Sequence, residues 1–116
     1  MNLYHCMIEL NSGSKALAFA AAADGWYGAL QERGLIRSWR LMRRKLGLGA
    51  DGQADFLLEI EVTDMAMLEE AFRAVGHGDD ALAHKYDLMH GMIATSSVGL
   101  YREFPDPERR ERIALI

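Results

Sequence analysis

The stretch DFLLEIEVT, residues 55–63, decides how the rest of the chain is read. Phe56, Leu58, Ile60 and Val62 fall on one side of it, and Leu57, Glu59, Glu61 and Thr63 on the other. This two-residue period predicts a strand with one buried face. Asp64 is placed to cap a following helix, whose buried stripe reads Met65, Leu68, Ala71, Phe72 and Val75 and stops at Gly76-His77-Gly78. On the other side, Gly47-Leu48-Gly49-Ala50-Asp51-Gly52 is a glycine-dense turn. It joins residues 36–46, IRSWRLMRRKL, to the quoted strand as a hairpin.

Working outward, residues 2–10 alternate as well, with Tyr4, Cys6, Ile8 and Leu10 on one face and Leu3, His5, Met7 and Glu9 on the other. After Asn11-Ser12-Gly13-Ser14 the period becomes helical over residues 15–33. Ala16, Phe19, Ala20, Ala23, Tyr27 and Leu30 form the stripe, Ser14 is the expected N-cap and Gly34 the stop. Its alanines, with Gly25 and Gly28, predict close approach to a sheet, against about 1 kcal/mol of helix propensity lost per glycine. Leu82, Tyr86, Met89 and Ile93 predict a further helix over residues 80–94, and residues 97–104 a last strand ended by Pro105 and Pro107. The order is that of a ferredoxin-like βαββαβ fold of the α+β class, with an extra helix before the last strand. It implies a four-stranded antiparallel sheet carrying its helices on one face. Residues 1–106 form a single domain in this reading, and residues 107–116, charged and then apolar, a C-terminal tail or an arm lying on a partner.

A chain of 116 residues, 50% hydrophobic and 26% charged, has the balance of one soluble globular domain. A net charge of -4 and a pI near 5.5 argue against nucleic acid as a partner. Cys6 is the single cysteine, which excludes an internal disulfide or a multi-cysteine metal site and fits a reducing compartment. The N-terminal apolar stretch lacks a basic n-region and is broken by His5 and Glu9, and no apolar run approaches the roughly 20 residues that cross a bilayer. A cytoplasmic protein without membrane contact is expected. The sequence holds no GxSxG, HExxH or P-loop, and neither a metal nor a cofactor is expected. His77, His84 and His90 are separated by seven and six residues, which does not stack them on one helical face as a metal pair would require; solvated or capping roles are expected.

The strand phases leave one sheet face without helices. On it fall Leu3, His5, Met7, Leu57, Gly99 and Tyr101 beside Glu9, Glu59, Glu61 and Glu103, a mixture too apolar for water, so a symmetric homodimer is expected to bury it. Tyr4-His5-Cys6, the hairpin segment 39–49 and the segment 100–106, LYREFPD, carry a resemblance to a small family of uncharacterised bacterial proteins over nearly the whole chain. At superfamily level the chain is similar to the dimeric α/β-barrel proteins, which include cofactor-independent monooxygenases, haem-degrading enzymes, lactone isomerases and small binding proteins. The resemblance implies the fold and the dimer; it implies no reaction.

His5 is the first residue suited to chemistry, a mid-strand imidazole able to act as a base near neutral pH, and Tyr101 on the same face has a hydroxyl to offer a substrate oxygen. Packing at an interface is the bland alternative for both. Trp39, Arg40 and Arg43 are the candidate ligand-binding group. Alternation divides the basic run, placing Trp39, Leu41, Arg43 and Lys45 on one face and Arg40, Met42 and Arg44 on the other. Cross-strand ion pairing with Glu9, Glu59, Glu61 and Glu103 is therefore the first expectation and an anion clamp the second. Cys6 reads as a small core residue. The expected function is binding of a small, partly apolar ligand in a cavity between sheet and helices or inside a barrel. The competing expectations are a cofactor-independent monooxygenase or isomerase using His5, and a purely structural dimer.

Overall fold

The computed structural model describes residues 2–50, 53–77 and 80–105. Its elements run β1 (Asn2–Leu10), α1 (Ala16–Glu32), β2 (Ser38–Arg43), β3 (Phe56–Val62), α2 (Met65–His77), α3 (Asp80–His90) and β4 (Ile93–Arg102). The four strands form one antiparallel sheet in the order β2-β3-β1-β4. Three helices with this sheet make an α+β, ferredoxin-like fold. The tail or arm expected over residues 107–116 lies outside the described residues, as do Asp51, Gly52 and Gly78.

Alternation in β3 is complete: Phe56, Leu58, Ile60 and Val62 are buried, while Leu57, Glu59 and Glu61 are half-buried on the opposite face. Cys6 and Ile8 of β1 join the buried side, opposite Leu58 and Phe56. Against them α1 lays Phe19, Ala22, Ala23, Trp26, Tyr27 and Leu30, and Phe19 meets Phe56 with ring centroids 5.4 Å apart. Burying each large side chain in this layer stabilises the fold by roughly 1.5–3 kcal/mol before entropy is counted. Gly34, at φ +74°, stops α1: its N–H donates to the Gln31 carbonyl and the Leu35 N–H to the Leu30 carbonyl, a Schellman motif. Asp64 caps α2, its carboxylate accepting the Met67 N–H at 2.9 Å.

Several local expectations are corrected. Lys15 occupies the α1 N-cap position without a side-chain cap, because Ser14 is held in the preceding turn, its N–H on the Asn11 carbonyl. Trp26 and Ala22 extend the buried stripe of α1, and a Cβ added at Gly25 or Gly28 would meet nothing within 4 Å, so no close approach depends on them. Met65 and Phe72 of the expected α2 stripe are exposed, and so are Val98 and Leu100 of β4. The second strand is shorter than residues 36–46. The last strand begins at Ile93, because α3 stops at His90 and the Asn11 side chain and N–H hold the Gly91 and Met92 carbonyls at 2.8 and 2.9 Å. No helix of the described residues is long and apolar enough to cross a membrane.

Candidate functional site

Between the sheet and the helices lies a cavity of about 340 Å³. Its floor is Cys6 and Ile8 of β1, Leu58 and Ile60 of β3, and Ser96 and Val98 of β4; its roof is Trp26, Tyr27 and Leu30 of α1, Leu68, Ala71 and Phe72 of α2, and Tyr86, Met89 and His90 of α3. Strand alternation supplies the floor, since β1 and β3 present their small or branched side chains to the helices at every second position. Phe72 and Val98, both exposed, flank it on the uncovered β4 side, and Phe72 meets the Tyr4 ring edge-on at 5.7 Å. No Asp, Glu, Lys or Arg of the described residues lines it.

Polar atoms enter this apolar space on a few side chains. Burial pushes the Cys6 thiol up to about 11, with the nearby Tyr4 hydroxyl opposing the shift. Burial first, and then the neighbouring Cys6, Tyr4 and Tyr86 groups, raise Tyr27 well above the ordinary phenol value; Tyr4 is raised by the same leading cause. All three stay protonated and neutral at physiological pH, so they offer hydrogen bonds and no charge.

His90 is the most constrained of the polar groups. It sits four residues after Tyr86 on α3, which stacks the two rings at 3.8 Å between centroids and 24° between planes. Trp26 closes the cluster edge-on, 5.3 Å from Tyr86 and 6.4 Å from His90. Nδ1 of His90 lies 2.9 Å from the Tyr86 carbonyl. A carbonyl only accepts, so Nδ1 carries the proton. Burial lowers the His90 pKa against the opposing pull of that carbonyl and of Asp87, which keeps the ring neutral at physiological pH. In a neutral ring protonated at Nδ1, Nε2 is an acceptor.

The residues nominated from sequence fall in other places. His5 and Tyr101 project together from the helix-free face, their rings 5.4 Å apart, as the pairing of Leu3 with Tyr101 and of His5 with Gly99 requires. Glu59 stands directly across from His5, but its carboxylate is held by Arg40 at 2.6 Å. Among the described residues of this one chain, no hydrogen bond joins His5 to an acidic, arginine or tyrosine side chain. Arg40 lies on that face, whereas Trp39 and Arg43 turn to the helix side, Trp39 onto Tyr27 at 5.6 Å and the Arg43 guanidinium over Phe56 at 5.6 Å. Trp39 and Arg40 still border one recess, with Leu3, Glu59 and Glu61, while Arg43 borders another with His5, so the three do not share one site. Ion pairs take up part of the basic run, Arg40 with Glu59 as expected and Arg44 with Asp55 in place of an expected glutamate; outside the run, Arg37 reaches Glu61. Glu9 instead accepts the Asp55 N–H at 2.9 Å.

Sequence reasoning passed over Trp26, Tyr86 and His90 as a group, and placed His90 among solvated or capping histidines. Their signal was present: Trp26 follows Phe19 and Ala23 at helical spacing, and Tyr86 and His90 are an i, i+4 pair. What the sequence lacked was which helices meet, α1 against α3.

The chain belongs to DUF6614, a family of unknown function, which matches residues 1–116. Comparison with the curated proteins finds no match. Among solved structures, the chain is similar to an Arabidopsis thaliana protein at a TM-score of 0.71 and 7% identity, covering 91% of this chain and 98% of that one. A dimeric ferredoxin-like protein of unknown function from Jannaschia sp. CCS1 matches at a TM-score of 0.64 and 14% identity, over 89% of this chain and 100% of that one. A dabb family protein with a ferredoxin-like fold from Mesorhizobium loti matches at 0.61 and 16%, over 89% and 96%.

Proposed function

We propose that this member of a family of unknown function is a homodimer whose cavity between sheet and helices binds a small, mostly apolar molecule. The cavity carries the reading: about 340 Å³ falls in the range of small-molecule sites, and the lining is apolar with a few convergent polar groups, as such sites require. A ligand there would bury its body against Leu58, Met89 and Ile60 and meet neutral donors at Tyr27 and Cys6. The dimer is supported by the helix-free face, where Leu3, Met7, Met42 and Leu57 are only half-buried, and by the dimeric state of the Jannaschia neighbour. A single thiol fits a reducing, cytoplasmic setting.

The test is methyl NMR of the protein with naphthalene, indole and their small derivatives. Met89, Leu58 and Ile60 resonances shift together on binding, and Ala71→Leu, which narrows the cavity, weakens the effect. Unmoved cavity methyls across the whole panel would overturn the reading. A second reading rests on the 5.4 Å contact of His5 with Tyr101, which supplies a base and a hydroxyl for monooxygenase or isomerase chemistry on a face that a dimer would enclose. Turnover of an enolic substrate that is lost in His5→Phe would establish it.

A further inference from the structure

Resting on the cavity reading above, we propose that His90 selects the ligand: its Nε2 accepts a hydrogen bond from the hydroxyl of a small, uncharged aromatic or alicyclic alcohol, phenol or enol. Three observations carry this. First, the tautomer is determined by the fold, because Nδ1 is spent on the Tyr86 carbonyl at 2.9 Å and the remaining nitrogen can only accept. Second, the ring lines the cavity and is held by stacking on Tyr86 at 3.8 Å with Trp26 edge-on, so the acceptor is presented on a fixed plane at little entropic cost on binding. Third, no cationic or anionic side chain of the described residues lines the cavity. Phosphates, carboxylates and amines would enter without a counter-charge, at a desolvation cost that nothing there offsets. A neutral ring with one hydroxyl satisfies all three conditions. Trp26, Tyr27 and Tyr86 supply aromatic surface for its body.

The ligand pair 2-naphthol and 2-methoxynaphthalene separates this inference from the reading beneath it. The two have the same ring and differ in the hydroxyl proton. Calorimetric titration of the full chain is expected to show 2-naphthol binding about tenfold more tightly, since the methyl ether leaves the Nε2 acceptor unmet. The ¹⁵N resonance of His90 Nε2 should shift with 2-naphthol and stay in place with the ether. In His90→Phe, which preserves an aromatic ring over Tyr86, the preference should fall to within about twofold. Equal affinities in the wild-type protein, or an unmoved Nε2 resonance, would overturn the role of His90 while leaving the cavity reading intact. Failure of both compounds to bind overturns the role of His90, and the cavity reading falls with it where the naphthalene and indole panel also leaves the cavity methyls unmoved. The wild-type comparison decides the matter even where the variant does not fold.

Discussion

Arg40 Nε donates to Glu59 Oε1 at 2.6 Å across the β2–β3 ladder, and this pair governs what the helix-free sheet face offers. Glu59 is the residue directly opposite His5, so an unpaired carboxylate there would orient the imidazole as a catalytic acid–base group requires. With Arg40 holding it, the acid is committed to the sheet.

The pair is therefore expected to be worth stability. The Glu59 side chain is only 12% exposed and that of Arg40 69%, so the gain lies near the top of the surface range, about 1 kcal/mol. A double-mutant cycle of Arg40→Met and Glu59→Gln, read by urea denaturation, should return a coupling of that size. Additive effects would show that the pair does not form in solution.

Light scattering should give twice the 13.0 kDa chain mass. Met7→Glu places a charge in the row Met42, Leu57, Met7, Ser97, on the face a partner would cover, and should drive the protein to a single-chain mass without loss of helix signal. A wild-type mass near one chain would remove the dimer.

Cys6 should react slowly. A thiol moved from 9 to about 11 by burial has about one hundredth of the thiolate at neutral pH, so alkylation by iodoacetamide at pH 7.5 should run about a hundredfold slower in the folded protein than in urea. Comparable rates would place Cys6 in contact with solvent.

Acid should weaken the fold through His90. Its pKa is lowered from 6.5 by burial, so below 6.5 the unfolded chain takes up a proton that the folded ring still refuses. The stability this neutral ring confers is whole above 6.5 and is lost as pH falls through the lower folded value. Between pH 7.5 and 5.5 the Tm of the wild-type protein should drop more steeply than that of His90→Phe; parallel curves would show a solvated ring.

Strand phase and element order were legible because a period of two is a local property. Once Phe56, Leu58, Ile60 and Val62 are known to face one way, the placement of Leu57, Glu59 and Glu61 follows, and the ladder puts Leu3, His5 and Tyr101 beside them. The Gly34 stop and the Asp64 cap were legible for the same reason, each depending on a few consecutive residues. The boundary between α3 and β4 was not, because Ile93 satisfies both the helical stripe and the strand; the hydrogen bonds from Asn11, some 80 residues away, decide it.

The amino-acid sequence by itself determined the ferredoxin-like order, the two faces of the sheet and the division of the basic run between them. The tertiary structure alone decided where the cavity and its polar groups sit. His90 looks solvated as a residue near the end of a short helix, and becomes a neutral acceptor only when α3 packs on α1 and Trp26 and Tyr86 close around it. Periodicity reports which side of an element is buried. It carries no information on which other element does the burying, and desolvation, tautomer and cavity all follow from that meeting.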